Sequence, residues 1–346
     1  MSKLKNNNIL RHAVAVSALI GGLFASTAAM AADWANVLMY HRFGESKYSS
    51  TNIKLDQFDA HLNELKTGGY TVLPLGRIVD AMISGEVLPD RTVAITIDDG
   101  YKSVYTEAWP RLKAAGFPFT LFVSTSQLGS GTNDYMSWAN LKEMVDDGNV
   151  YVGHHGAAHA HLPNLSIAEV RADILKANQA FQDNLGFVPG IFAYPYGEYG
   201  LDIKNLIEDM GFKAAFGQHS GVSYSTLDRY EFPRFTMNET YGNIGRLRLA
   251  ANALPLRVRN VVPKDKILKR NPPNFGFTLD EEYTNLNQLN CYASSGTVPI
   301  NRVGVNRIEV RLRKPYRPGR GRINCTLPGP DQRFRWFGTL FYIPRT

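Results

Sequence analysis

The stretch Val93-Ala94-Ile95-Thr96-Ile97-Asp98-Asp99-Gly100 decides how this chain is read. Its first five residues are apolar or β-branched and show no polar alternation, which predicts a strand buried on both faces, the kind that parallel sheets use. The strand then ends on two adjacent carboxylates and a glycine that turns the chain. Parallel α/β folds build their active sites at the C-terminal ends of the strands, so Asp98 and Asp99 stand where chemistry is done. Adjacent carboxylates repel. The simplest stable arrangement is a cation that neutralises one while the other serves as a base. Taken alone, the three residues also read as an Asp-Asp-Gly turn with solvated side chains.

Six further β-rich runs surround this one, at 37–41, 70–73, 119–123, 150–153, 191–194 and 214–217. Amphipathic helical patterns fill the gaps, and repeated βα units imply parallel strands. The clearest helix opens at Ser166 with Glu169 three residues on, a capping box. It carries Ile167, Val170, Ile174, Ala177, Phe181 and Leu185 on one stripe and stops at Gly186. Seven such units favour an α/β fold of the distorted (β/α)7 barrel type; an open doubly wound sheet has the same periodicity.

The 346 residues are 44% hydrophobic and 20% charged, enough apolar material for a packed core and unlike a disordered chain. A small cysteine-stapled scaffold is excluded. So is a polytopic membrane protein, because the one long apolar stretch lies at the N-terminus. There Lys3, Lys5 and Arg11 precede an apolar run over 13–25 and the small-residue site Ala29-Met30-Ala31. This pattern predicts a secretory signal peptide over 1–31, a mature chain from about Ala32, and a periplasmic or secreted location. A membrane anchor would need roughly 20 apolar residues, and Ser26 and Thr27 cut the run short. Only two cysteines exist, Cys291 and Cys325. An oxidising compartment predicts that they pair, closing a loop worth about 4 kcal/mol on chain-entropy grounds.

Net charge is +7, but it is unevenly placed: residues 32–240 hold 16 basic and 25 acidic side chains, and residues 241–346 hold 19 and 6. Composition shifts at the same place, with 264–266 and 269–273 reading as linker or surface loop. Beyond lies strict alternation, as in Arg307-Ile308-Glu309-Val310-Arg311-Leu312-Arg313, Pro and Gly clusters over 315–321, and an aromatic run over 334–342. This predicts a barrel over 32–240 and a small antiparallel β domain over 241–346. Export argues against a nucleic-acid partner for the basic domain. An anionic glycan or the cell surface fits its arginines and aromatic rings better; the plainer reading is a domain that packs on the barrel and shapes its rim.

The strand at 150–153 runs into His154-His155-Gly156-Ala157-Ala158-His159-Ala160-His161, four of the chain's eight histidines. His155 and His159 are four apart and would face one way on a helical turn, ready to bind a divalent metal with a carboxylate as third donor. His159 with His161 is the other strong pair, and a surface cluster of histidines without metal is also open. Two imidazoles and a carboxylate leave coordination positions free, as catalytic sites do. Phe192-Ala193-Tyr194-Pro195-Tyr196-Gly197-Glu198 offers an exposed turn with rings on which a sugar can stack. His219 follows the last barrel strand, Arg234 sits in Phe232-Pro233-Arg234-Phe235, and His41 ends the first strand.

Residues 37–236 resemble the polysaccharide deacetylases of the NodB homology type, carbohydrate esterase family four. The resemblance rests on Thr96-Ile97-Asp98-Asp99-Gly100, His155-Gly156-Ala157-Ala158-His159 and Phe192-Ala193-Tyr194-Pro195-Tyr196-Gly197, in that order. It implies a distorted barrel; Asp98 as general base; Asp99, His155 and His159 as ligands of a divalent metal, usually zinc; and the Tyr196 N–H as an oxyanion donor. The implied substrate is an N-acetylated glycan, such as a chitin-like polymer, peptidoglycan or poly-N-acetylglucosamine, and the product acetate. His219 is the candidate for the proton that the departing amine needs, although its surroundings do not match the family's Leu-x-His. Two positions depart from the family: Gly156 stands where Ser or Thr is usual, and Ala193 where many members place an arginine that orients the catalytic aspartate. Arg234 is expected to supply that guanidinium from elsewhere in the barrel. Those departures keep open an inactive glycan-binding or scaffold protein on the same barrel, and the same base and metal would equally serve an O-acetyl esterase.

Overall fold

The computed structural model describes residues 31–345; all of the expected signal peptide but Ala31 lies outside them. Seven parallel strands form a curled half-barrel sheet: β1 (Trp34–Tyr40), β2 (Thr71–Val72), β3 (Thr92–Asp99), β4 (Phe119–Val123), β5 (Val150–His154), β6 (Ile191–Ala193) and β7 (Ala214–Phe216). Their order is β7-β6-β5-β4-β3-β1, with β2 beside the start of β3. Every residue of β3 is buried, as its unbroken apolar run requires when helices cover one face and side chains from facing strands fill the other.

Register brings the strand ends into line. Asp99 lies opposite Val123, Val123 opposite His154, and Ala193 opposite Phe216. A short strand β8 (Phe235–Thr236) pairs with Leu38 and Met39 of β1, while Phe232 just before it bridges to Phe216 of β7. The segment carrying Arg234 thus runs between the two ends of the curled sheet, a barrel arrangement rather than an open doubly wound one.

The helix predicted from Ser166 spans Ile167–Leu185. The Ser166 hydroxyl accepts from the Glu169 N–H, and Gly186 closes the helix at φ 78°. Val170, Ile174, Ala177 and Phe181 are its buried stripe.

After the barrel come two antiparallel sheets. One is built on the long hairpin of Gly319–Pro328 and Phe334–Ile343 with Asn290–Ala293 at its side; the other comprises Val258–Val262, Phe275–Leu279, Arg307–Val310 and Ile300–Val303. Cys291 and Cys325 face each other in register and are disulfide-bonded.

The change of charge at Tyr241 precedes the change of core. The helix Ile244–Ala251 buries Leu247, Ala250 and Ala251 in the barrel core, and the second core begins at Leu256. Nor is 264–273 a free linker. Lys266 is buried and ion-paired with Glu231 of the barrel at 3.1 Å, while its carbonyl accepts from the Tyr342 N–H. A lysine drawn into such a pairing reads, in sequence, like any solvated one. Among the described residues no helix is long and apolar enough to cross a membrane.

Candidate active site

Asp98 and Asp99 end β3 and point to different partners. Asp98 is completely buried, and the equally buried Arg234 grips it through two parallel bonds, 2.7 Å to Oδ1 and 2.8 Å to Oδ2. The same guanidinium donates through Nε to the Gly217 carbonyl at 3.0 Å, which fixes its plane. Burial alone would raise the Asp98 pKa, but Arg234, His155 and His41 outweigh it and hold the carboxyl below its ordinary range.

Asp99 stands at φ 79°, in the left-handed region that non-glycine residues seldom occupy. Its Oδ1 lies 3.4 Å from His155 Nε2 and 3.0 Å from His159 Nε2. The side-chain atoms of these three residues that can bind a metal all lie within 4.8 Å of one another. His155 Nδ1 is 2.7 Å from the Ala193 carbonyl, which can only accept, so the ring proton sits on Nδ1 and the Nε2 lone pair faces Asp99. Asp99 Oδ1 and His155 Nε2 are both buried without a hydrogen-bond partner. Two electron-rich atoms facing each other in a dry site repel, and a divalent cation between them removes the conflict; this donor set fits one, with positions left open. Burial would raise the Asp99 pKa, and the surrounding imidazoles of His155, His159 and His41 pull it well below the usual carboxylate range. Burial disfavours the His159 cation, and the Asp99, Asp98 and Glu198 carboxylates reverse this and raise its pKa.

The histidine cluster divides its labour in a way that spacing did not show. His154 belongs to the packing: it touches Phe181, Phe192 and Phe212, accepts from the Gly156 N–H and donates to Asn178. His161 bonds Glu198 at 2.7 Å and lies flat on Tyr196, 4.0 Å between rings, so it takes no part in the Asp99 group. His155 and His159 converge, but not on a helical turn. They flank a loop with Gly156 at φ 73° and His159 at φ 52°, both incompatible with a helix. The loop is held by Asp173, whose carboxylate accepts from the Ala157 and Ala158 N–H groups at 2.8 and 2.9 Å. A Cβ at position 156 would come within 2.7 Å of that carboxylate, so loop conformation and Asp173 together explain the glycine there. Asp173 was missed in the sequence because it looks like one more solvated residue of a helix.

The Tyr196 ring packs on His159 at 4.4 Å between centroids, and its backbone, at φ 59°, is also left-handed. Strained residues thus gather around the Asp99 group. His219, expected near Asp98, is placed elsewhere. It lines a small cleft of about 40 Å³ with Glu231, Lys266 and Trp336, and none of its described contacts is to Asp98 or Asp99. The turn after β7 lays its buried ring over Gly217. The imidazole beside Asp98 is His41, after the end of β1, with Nε2 3.8 Å from Asp98 Oδ2.

Residues 85–215 match the family described as polysaccharide deacetylase. The chain resembles that family over the segment that carries Asp98, Asp99, His155 and His159. Among its relatives is the poly-beta-1,6-N-acetyl-D-glucosamine N-deacetylase of Staphylococcus aureus, 25% identical over 219 residues, covering 60% of this chain and 75% of the relative. The fold is shared with the solved structures of IcaB from Ammonifex degensii (TM-score 0.58, 27% identity, 64% of this chain and 98% of that one) and of the Streptococcus pyogenes deacetylase PplD (TM-score 0.56, 21% identity, 60% and 94%). Polysaccharide deacetylases are hydrolases, so the barrel resembles that of an enzyme family, and the antiparallel sheets lie beyond the matched segment.

Proposed function

We propose that this protein hydrolyses the acetamide of N-acetylated sugars in a glycan outside the cytoplasm, releasing acetate and leaving a free amine. One observation carries the reading: a buried, unpartnered carboxylate oxygen meets two imidazoles, and a second carboxylate stands beside it on an arginine. Asp99, His155 and His159 would hold a divalent cation, zinc by resemblance, which when bound supplies Lewis acidity to water and to the acetamide carbonyl. Asp98 takes the proton from the attacking water. Arg234 fixes both of its oxygens and so positions the base. The Tyr196 N–H stabilises negative charge developing on the carbonyl oxygen. We assign the return of a proton to the departing nitrogen to His41 rather than His219, a reading supported by its Nε2 lying 3.8 Å from Asp98 Oδ2.

Residues of the sequence that looked like departures fit this reading. Ala193 leaves the family's arginine position empty of charge, and Arg234 occupies the base from across the barrel. The test is acetate release from N-acetylglucosamine oligomers, both β-1,4- and β-1,6-linked, with O-acetylated glycans alongside. Release from N-acetylated substrates, abolished by a chelator and restored by zinc, is expected. Release from O-acetyl esters alone would move the reading to an esterase, and protein that binds these glycans without releasing acetate would move it to a scaffold.

A further inference from the structure

A cavity of about 670 Å³ opens where the barrel meets the long C-terminal hairpin. Its barrel side includes His41, the neighbour of Asp98, so the cavity leads away from the site described above. Arg246, from the helix packed on the barrel, and Arg320, Arg322, Tyr292 and Trp336, from the C-terminal sheets, line it further on, and no Asp or Glu is among its lining residues.

These arginines differ in how their charge is met. Arg320 reaches back to the catalytic loop, donating to the Tyr196 carbonyl at 3.2 Å and standing 3.8 Å from Glu198. Glu198 is itself committed to His161. Arg246 is enclosed by three rings, its guanidinium carbon 5.0 Å from the centre of Trp336, 5.6 Å from Phe235 and 5.7 Å from Tyr241. Its Nε is buried without a hydrogen-bond partner. Arg322 is half-buried beside it on the cavity wall. Among the described residues neither Arg246 nor Arg322 forms an ion pair. Burial, aided at Arg322 by the neighbouring Arg320, presses both pKa values down, the mark of charge held without compensation.

A half-buried guanidinium with no carboxylate is costly unless something else supplies the anion, and its planar fork suits a carboxylate. We propose that this cavity is a subsite for a carboxylate-bearing sugar unit next to the acetylated one, with Arg246 and Arg322 meeting the acid and Trp336 and Tyr292 offering ring faces to the pyranose. The proposal rests on the deacetylase reading for its neighbour, and deepens it: the enzyme would select acidic N-acetylated glycans over neutral ones. The hairpin, outside the matched family segment, would then set specificity.

The test compares two probes of equal length, the neutral N-acetylglucosamine tetramer and a tetrasaccharide of alternating N-acetylglucosamine and glucuronate. With the full mature chain, kcat/KM for acetate release is expected to favour the acidic probe by tenfold or more, through KM. In Arg246→Gln/Arg322→Gln that ratio should fall toward one, while Arg322→Gln alone should lower it several-fold and Arg246→Lys/Arg322→Lys should keep part of it. Binding of both probes to Asp98→Asn, followed by Trp fluorescence and calorimetry at low and high salt, separates this proposal from the reaction. Salt-sensitive binding of the acidic probe, lost in the arginine variants, supports the subsite even if no acetate is released. Equal turnover of both probes, unmoved by the variants, overturns the subsite and leaves the deacetylase reading standing.

Discussion

Arg234 and Arg246 show how differently the two regions of this molecule handle charge. In the barrel, Arg234 is fully buried and both of its terminal nitrogens are spent on Asp98. On the cavity wall, Arg246 is surrounded by aromatic rings and has no carboxylate. A buried ion pair with ideal bidentate geometry is a finished structure, whose removal on one side leaves a stranded charge. An arginine stacked on rings without an acid is an unfinished one, and its missing partner has to come from outside. The acidic half of the chain thus closes on itself around a buried carboxylate, and the basic half leaves part of its charge facing outward.

The sharpest way to break this contrast is at the base. Asp98→Asn should lower kcat by 10²- to 10⁴-fold in the acetate assay, in the range that a positioned proton acceptor contributes; an unchanged rate would remove Asp98 from the chemistry. Next comes its partner. Arg234→Gln strands a buried carboxylate and should cost about 3–5 kcal/mol in urea unfolding. The double variant Asp98→Asn/Arg234→Gln should recover part of that, since two neutral amides replace the pair. A double variant no more stable than the single would mean that the Asp98 contact is not what holds Arg234 in place.

Acid probes the barrel from another direction. Burial keeps His61 and His219 neutral down to about 4 and His154 down to about 3, against an ordinary 6.5. Below pH 6.5 the unfolded chain therefore binds protons that the folded one refuses, and stability falls as pH drops toward 4. At pH 5 the loss should be roughly 2 kcal/mol for each imidazole, read as a lowered urea midpoint against pH 7. A midpoint that does not move would mean these rings are charged in the fold. The smallest effect sits on the cavity wall: Arg246→Gln has no ion pair to break, and should change stability by about 1 kcal/mol at most, the scale of its stacking. A loss as large as that of Arg234→Gln would erase the difference between the two arginines.

Much of the barrel could be read from residues alone because its signals are local. The buried run at 93–97, the capping box at Ser166 and Glu169, and the Asp-Asp-Gly and histidine motifs each declare themselves within a few positions. What lay hidden were relations between distant segments. His219 and His41 both follow strands, and only the direction in which each turn leaves its strand separates the ring beside Asp98 from the ring over Gly217. Asp173 reads as a solvated helix residue until the loop at 156–158 is laid against it.

From its amino acids alone this chain declared a repeated βα pattern, a carboxylate pair at a strand end, a metal-binding choice of side chains and a basic, alternating tail. Those follow from periodicity and from the chemistry of single groups, which need no knowledge of partners. Tertiary structure decided which histidines share Asp99, that Arg234 rather than a residue at position 193 holds Asp98, and that the tail's arginines line a cavity beside the barrel mouth. Such facts are distances between segments far apart in the chain, set by sheet register and core packing, and no local pattern encodes them.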